Sequence, residues 1–366
     1  MDDTAVRDLR VSTYRYPTVA PEADGTAAWD ATELVVVEPT AGGTTGLGWS
    51  YCAAPGASRV VTELLSPVVV GHDALDIPGA WQRMTAAVRN AGQPGLVAMA
   101  VAAVDIALWD LKARLLGLPL DRLLGRCRDA VPVYGSGGFV SLSDEELVAQ
   151  LGGWVHDHGI PRVKIKVGEG WGTATGRDLA RTALARRTVG DGTELYVDAN
   201  GGYSPGQARR LGAAYDDLGV SWFEEPVSSQ DLAGLHLLRR VLRADVAAGE
   251  YLSSAQEAQR MCAAQAVDCL QLDVTRCGGI TGWLQAAAVA QSHGLQVSGH
   301  CAPALHLAPA CSVQSLRHLE LFADHARLEA ELFEGVPSVR EGTLAPPDAP
   351  GNGFALSRRA EPYRTG

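Results

Sequence analysis

From residue 131 to residue 321 the chain repeats one unit, a short apolar run followed by a longer stretch with helical spacing. The runs fall at 131–134, 162–167, 194–198, 222–224, 246–248, 269–273, 296–298 and 318–321. Between them lie amphipathic segments such as "TGRDLARTALARRTV", "SPGQARRLGAAYDDLG" and "ITGWLQAAAVAQSHG". Eight strands alternating with helices predict a parallel (β/α) barrel. A doubly wound sheet is the alternative, but no GxGxxG follows a first strand. The barrel is the better reading.

The chain ahead of 131 has another rhythm. Strand-like "LRVSTYRY" and "TELVVVEPT" are separated by the small-residue loops "PTVAPEADGTAAWD" and "TAGGTTGLG". Helical segments follow around 73–92 and 97–117, so an α+β unit is expected here. The tail "GVPSVREGTLAPPDAPGNGF" is rich in Gly and Pro with apolar residues spread through it, which predicts a long irregular return across the surface.

Composition narrows the function. Hydrophobic residues make up 46% and charged ones 20%, as in a soluble globular protein with a sizeable core. The formal net charge is −11 with no basic block, which argues against nucleic acid or an anionic membrane as partner. The 7 cysteines are irregularly spaced without a CxxC pair, a pattern of reduced thiols rather than disulfides or a zinc site. "MDDTAVRDLR" is acidic and polar, unlike a signal peptide. "GLVAMAVAAVDIALWDL", at 95–111, is too short to span a membrane and contains Asp105. A cytoplasmic protein is expected.

Polar residues recur at the ends of the barrel strands. Asp198 closes "ELYVDAN", Glu224 closes "VSWFEEP" and Glu250 follows "DVAAGE", at intervals of 26 and 26 residues. That interval is one β/α repeat, so neighbouring strands would set three carboxylates side by side on one rim. Any one of them alone could be a helix cap or a loop residue. Three in register would repel one another in a poorly solvated site, and a hard divalent cation such as Mg²⁺ relieves that repulsion.

Asp273 closes "CLQLDVTRCGG" and His300 closes "LQVSGHCAP" 27 residues later, so the carboxylate can orient the imidazole. Glu320 lies in "HLELF" on the last strand. Alternation in "RVKIKVG" sends Lys164 and Lys166 to one face, opposite Val163 and Ile165. Two lysines on one face suit a solvated sheet edge. In a barrel they point instead into its mouth, with Lys166 and His300 on either side of the carboxylates. Two adjacent ammoniums depress each other's pKa, which would let Lys166 act as a base.

These residues resemble the mandelate racemase subgroup of the enolase superfamily. The matching pieces are "KIK", "DAN", "FEEP", "GE" with Glu250, Asp273, "GH" with His300, and Glu320. The helix "AVAAVDIALWDLKARLLGLPLDRLLG" and the return "LAPPDAPGNGF" also match. The resemblance covers nearly the whole chain. It implies a modified TIM barrel, (β/α)₇β, over 131–331, and an N-terminal α+β capping domain over 1–130 joined by the segment 332–366. It also implies Mg²⁺ at Asp198, Glu224 and Glu250, and removal of the proton α to a carboxylate. The enolate charge that forms would be met by Mg²⁺, Lys164 and a protonated Glu320.

Specificity in the family resides in two capping-domain loops, here around 16–30 and 49–58. They offer Glu22, Asp24, Trp49 and Tyr51, with Asn200 and Tyr203 from the barrel, but no arginine for a distal carboxylate, which disfavours a diacid substrate. The reading is an acid-sugar dehydratase forming a 2-keto-3-deoxy acid, the partner being a small carboxylate substrate. A racemase or epimerase, or a cycloisomerase of an anhydrosugar acid, would use the same residues. A carboxylate-binding barrel without activity would lack a ligand or a base, and every position is filled. The family further implies a homo-oligomer.

Overall fold

The computed structural model describes residues 4–366; the opening "MDD" lies outside the described residues. Two long antiparallel strands, β1 (Asp8–Ala23) and β2 (Ala28–Ala41), form the N-terminal sheet with the short β3 (Thr44–Thr45) and β4 (Gly48–Tyr51). The stretch "PTVAPEADGTAAWD" is therefore largely strand rather than loop. The β1–β2 pairing carries it to the hairpin tip, with an irregularity in register between Pro17 and Glu22. The bulge explains why no alternation shows in the sequence there.

The helix Leu96–Leu115 packs flat against this sheet because both surfaces are built from small residues. A Cβ on Gly46 would stand 2.4 Å from the Ala107 carbonyl oxygen, and one on Gly48 would stand 2.4 Å from the Ala107 nitrogen. The same helix buries two acids that tie it to the rest of the molecule. Asp105 accepts from the Thr281 backbone N–H (2.9 Å) and hydroxyl (2.6 Å), at the start of a barrel helix. Asp110 accepts from the backbone N–H of Leu47 (2.8 Å), just ahead of β4, and of Asn352 (2.6 Å) in the C-terminal return.

Eight parallel strands follow: β5 (Val131–Gly137), β6 (Arg162–Lys166), β7 (Glu194–Asp198), β8 (Val220–Glu224), β9 (Asp245–Ala248), β10 (Cys269–Leu272), β11 (Gln296–Gly299) and β12 (Leu316–Phe322). Pairing of β12 with β5, Leu319 opposite Val133, closes the barrel. Each expected strand is present. The crossover helices start where the sequence provides caps. Ser143 and Glu146 form a reciprocal capping box for Asp144–Gly152, and Ser204 and Gln207 do so for Pro205–Asp217.

Alternation sorts the strand side chains. Val163 and Ile165, like Leu195 and Val197, face the helices in the main core. The inward residues stack in layers. Tyr134, Tyr196, Trp222, Ala247 and Cys269 plug one end of the lumen. Above them the filling turns polar. The C-terminal return runs back over the N-terminal sheet, where Thr365 N–H donates to Thr13 at 2.8 Å.

Candidate active site

Lys164 is fully buried in the polar layer, with Nζ 2.6 Å from Glu224 Oε1, 2.8 Å from Glu320 Oε1 and 3.8 Å from Asp198 Oδ2. Trp222 and Gln271 donate to the other Glu224 oxygen at 2.9 and 3.1 Å. One layer up, the Lys166 ammonium contacts Asp198 Oδ2 at 2.5 Å.

Asp198 and Glu224 are Cα partners across β7 and β8, and Glu250 follows β9. One carboxylate oxygen of each lies within 4.8 Å of the others, all three buried. Gly249 makes the approach possible. Its φ is +128°, and a Cβ there would stand 2.5 Å from the Gln271 carbonyl oxygen.

His300 Nδ1 is 2.8 Å from Asp273 Oδ2, and its Nε2 is 3.2 Å from Glu250 Oε2. Tyr51 hydrogen-bonds the same Asp273 oxygen and approaches His300 Nδ1 at 3.2 Å. Arg276 Nη1 donates to Glu250 Oε1 at 2.9 Å, and its guanidinium lies over the rings of Tyr51 and Tyr251, 5.0 and 4.9 Å from their centroids.

Charge decides the protonation pattern. Asp198, Glu224, Glu225, Glu250, Asp273 and Glu320 are six buried carboxylates, against the fixed cations of Lys164, Lys166 and Arg276. Burial pushes Glu224 up to about 8 despite the Lys164 ammonium, because Asp198 and Glu320 add repulsion. Glu225 is raised well above the usual carboxylate range by burial and by Glu250, Asp198 and Glu224. Such a layer lacks positive charge. Its three converging oxygens form an oxygen-only set suited to a hard dication.

Neighbouring charges set the pKa directions of Lys166, Glu320, Asp273 and His300. Burial and Lys164 do lower Lys166, but Asp198 outweighs both and holds the ammonium above its ordinary value. That hold on the ammonium lasts only while Asp198 is not engaged by a cation. Burial raises Glu320, yet Lys164 and then His300 pull it below the usual carboxylate range. Burial raises Asp273 too, but the bond to His300 and the charge of Arg276 bring it below the carboxylate range. Burial works to lower His300, and its acidic neighbours, with Cys301, hold it well above its ordinary value.

A cavity of about 530 Å³ opens above this layer, between the barrel mouth and the β1–β2 hairpin. Lys166, Asn200, Glu250, His300, Tyr51 and Asp24 line it, whereas Lys164, Glu320 and Asp273 lie behind its wall. Asn200 presents a buried Oδ1 that has no partner.

Three expected substrate contacts lie elsewhere. Trp49 is buried, stacked on Phe333 with ring centroids 4.0 Å apart, because it faces the C-terminal return. Tyr203 is buried as a strut, donating to Asp178 at 2.6 Å and accepting from the Gly168 N–H at 2.9 Å. Glu22 is outside the cavity wall and accepts from the Trp29 indole at 3.1 Å. Trp29 itself is the aromatic on the wall, edge-on to Phe139 at 5.6 Å.

The sequence reading also missed Arg15, Glu225, Arg276 and Cys301. Arg15 sits one residue ahead of the loop window and lines the cavity, paired with Asp30 at 2.8 Å. Glu225 is the second acid of "FEEP", and Cys301 directly follows "GH", so both were within quoted motifs. Arg276 had no signal apart from its place just past Asp273.

A barrel with this ordered set of strand-end acids and bases defines an enolase-type enzyme scaffold. Residues 9–125 match the mandelate racemase / muconate lactonizing enzyme N-terminal domain, and residues 146–360 match the enolase C-terminal domain-like family. The chain belongs to the mandelate racemase subgroup of the enolase superfamily.

Among curated relatives, L-talarate/galactarate dehydratase of Salmonella typhimurium is 31% identical over 86% of this chain and 78% of its own. Its structure, liganded with Mg and L-lyxarohydroxamate, superposes with a TM-score of 0.92 over 99% of this chain and 93% of that one, at 28% identity. The 3,6-anhydro-alpha-L-galactonate cycloisomerase of Streptomyces coelicolor is 30% identical over 96% of this chain and 97% of its own. A mandelate racemase/muconate lactonizing enzyme-like protein from Rubrobacter xylanophilus is 48% identical with a TM-score of 0.95, over 99% of this chain and 100% of that one.

Proposed function

We propose that this protein dehydrates an acid sugar, removing the proton α to the carboxylate and expelling the 3-hydroxyl to give a 2-keto-3-deoxy acid. The observation that carries the reading is that Lys166 and His300, from β6 and from the end of β11, open onto one cavity together with Glu250. Asp198, Glu224 and Glu250 would hold Mg²⁺, which supplies when bound the positive charge an enolate requires. With Nδ1 donating to Asp273, His300 presents Nε2 to the cavity, where it can exchange a proton with a substrate carbon or hydroxyl.

One of the pair takes the α-proton, and His300 or Lys166 protonates the departing hydroxyl. Lys164 acts from behind the wall, fixing Glu224 and Glu320. Asn200, Asp24 and Tyr51 are the proposed sugar contacts, since a buried hydroxyl left unpaired costs about 1–3 kcal/mol. Free thiols at all seven cysteines support a reducing, cytoplasmic setting. The domain division at 130/131, with the return 332–366 joined to the first domain, is part of this proposal.

A cycloisomerase is the second reading, favoured by the Streptomyces coelicolor relative matched over 96% of this chain. Incubation with aldonic, uronic and anhydrosugar acids, with semicarbazide detection of keto products, tests both. Keto product from a linear acid is expected. Ring opening of an anhydrosugar acid alone would favour the cycloisomerase. Inversion of a non-sugar acid, without any keto product, would overturn both in favour of a racemase.

A further inference from the structure

Cys301 plays no part in the proton transfers above, yet its thiol faces the same cavity. Its backbone is held at φ +50°, with Ala302 at +37°, so the chain turns sharply after His300. The Cys301 N–H donates to Glu320 Oε2 at 2.9 Å, which locks the turn. Cys301 Sγ then lies 3.5 Å from His300 Nε2, and Glu320 Oε2 lies 3.7 Å from the same nitrogen. All three residues are buried, and their ligand atoms fall within 4.8 Å of one another. Glu250 Oε2 stands 3.2 Å from that nitrogen but belongs to the separate Asp198, Glu224 and Glu250 set, so three protein donors and an open fourth position make the site.

The 3.5 and 3.7 Å edges to His300 Nε2 are close to those of a tetrahedral metal site. Bonds of about 2.3 Å to sulfur and about 2.0–2.1 Å to imidazole nitrogen and carboxylate oxygen give ligand–ligand edges of about 3.3–3.6 Å. The donor set is N, S and O, whereas the Asp198, Glu224 and Glu250 set is oxygen only. Soft and borderline metals prefer the first and Mg²⁺ the second.

We propose that His300, Cys301 and Glu320 form a second cation site, selective for a thiophilic divalent ion such as Zn²⁺, whose occupation blocks the His300 imidazole. Binding replaces the thiol S–H bond by an S–metal bond, and the proton leaves to the buffer. The inhibitory consequence rests on the proposed role of His300; the binding itself does not.

The test uses Co²⁺ and Zn²⁺ on full-length protein kept in excess Mg²⁺. Co²⁺ should give a thiolate-to-cobalt charge-transfer band in the near ultraviolet, absent from Cys301→Ser and Cys301→Ala and retained by Cys262→Ser. Zn²⁺ should suppress the wild-type band, and should inhibit turnover at a concentration at least tenfold lower than it does in Cys301→Ser. A missing band in wild type, or a band unchanged in both folded Cys301 variants, overturns the site. If the protein turns over no acid sugar, the proposed function fails while the cobalt spectrum still decides the metal site.

Discussion

The two walls of the cavity are made differently. The barrel wall carries buried charges at strand ends held by partners across the sheet, as Lys166 is by Asp198 on the neighbouring strand. The hairpin wall carries charges in water. Arg15 and Asp30 pair at 2.8 Å, but their side chains are 48% and 75% exposed. Buried pairs are costly to break, and exposed ones are worth about 0–1 kcal/mol. The barrel side therefore suits chemistry that must not change, and the hairpin side suits substrate choice that can.

Substitutions on the barrel wall should be severe. Glu250→Gln should abolish Mg²⁺ binding measured by calorimetry, and chelation should stop wild-type turnover until Mg²⁺ is restored. His300→Asn should lower kcat by about 10²–10⁴-fold, the usual worth of a positioned acid or base. Near-normal turnover by either variant would erase the contrast between the walls.

Lys164→Met tests whether the layer is held electrostatically. It leaves Glu224 and Glu320 buried without their ammonium, at a cost of about 3–5 kcal/mol in a denaturant melt. A change below about 1 kcal/mol would place the layer with the exposed pairs.

Glu329 sharpens the point, as a buried acid that has no cation. It lines a second cavity of about 410 Å³ on the outside of the barrel, and burial pushes it up to about 8 from 4.5. The folded chain keeps a proton there that the unfolded chain loses, so stability falls as pH rises from 4.5 toward 8. Glu329→Gln removes that decline, on the order of 1.4 kcal/mol per pH unit at most. Its melting temperature should gain on wild type between pH 5 and pH 8, and parallel curves would refute the assignment.

The smallest effect is expected on the hairpin wall. Asp30→Asn leaves Arg15 without its partner and should raise kcat/KM for a diacid sugar relative to its monoacid counterpart by about two- to fivefold. An unchanged ratio would show that Arg15 does not reach the substrate.

What the sequence disclosed follows the same division. In a parallel barrel the side-chain period is 2 and the repeat length is nearly constant, so Asp198, Glu224 and Glu250 could be placed from spacing. The hairpin has a register irregularity between Pro17 and Glu22, and Glu22 and Trp29 are paired across it, so nothing local distinguishes Trp29 on the wall from Glu22 behind it. Trp49 and Tyr51 share a strand face, yet one meets Phe333 and the other Asp273; that depends on what each end of β4 faces. Protonation is legible in the sequence to a lesser degree. Lys166 is read there from Lys164 alone, whereas Asp198, Glu224 and Glu320 also act on it.

The helix Leu96–Leu115 joins the walls without entering the cavity, through Asp105 to a barrel helix and Asp110 to the chain just ahead of β4 and the return. That brace sits outside the hairpin, whose own ties to the barrel are few and mostly through backbone, Val140 N–H to Ala23 at 2.9 Å and Trp171 N–H to Gly25 at 3.0 Å, so segment 16–30 is the part most open to exchange. A chimera carrying a relative's hairpin on this barrel should keep its metal and its bases and take on the donor's choice of acid.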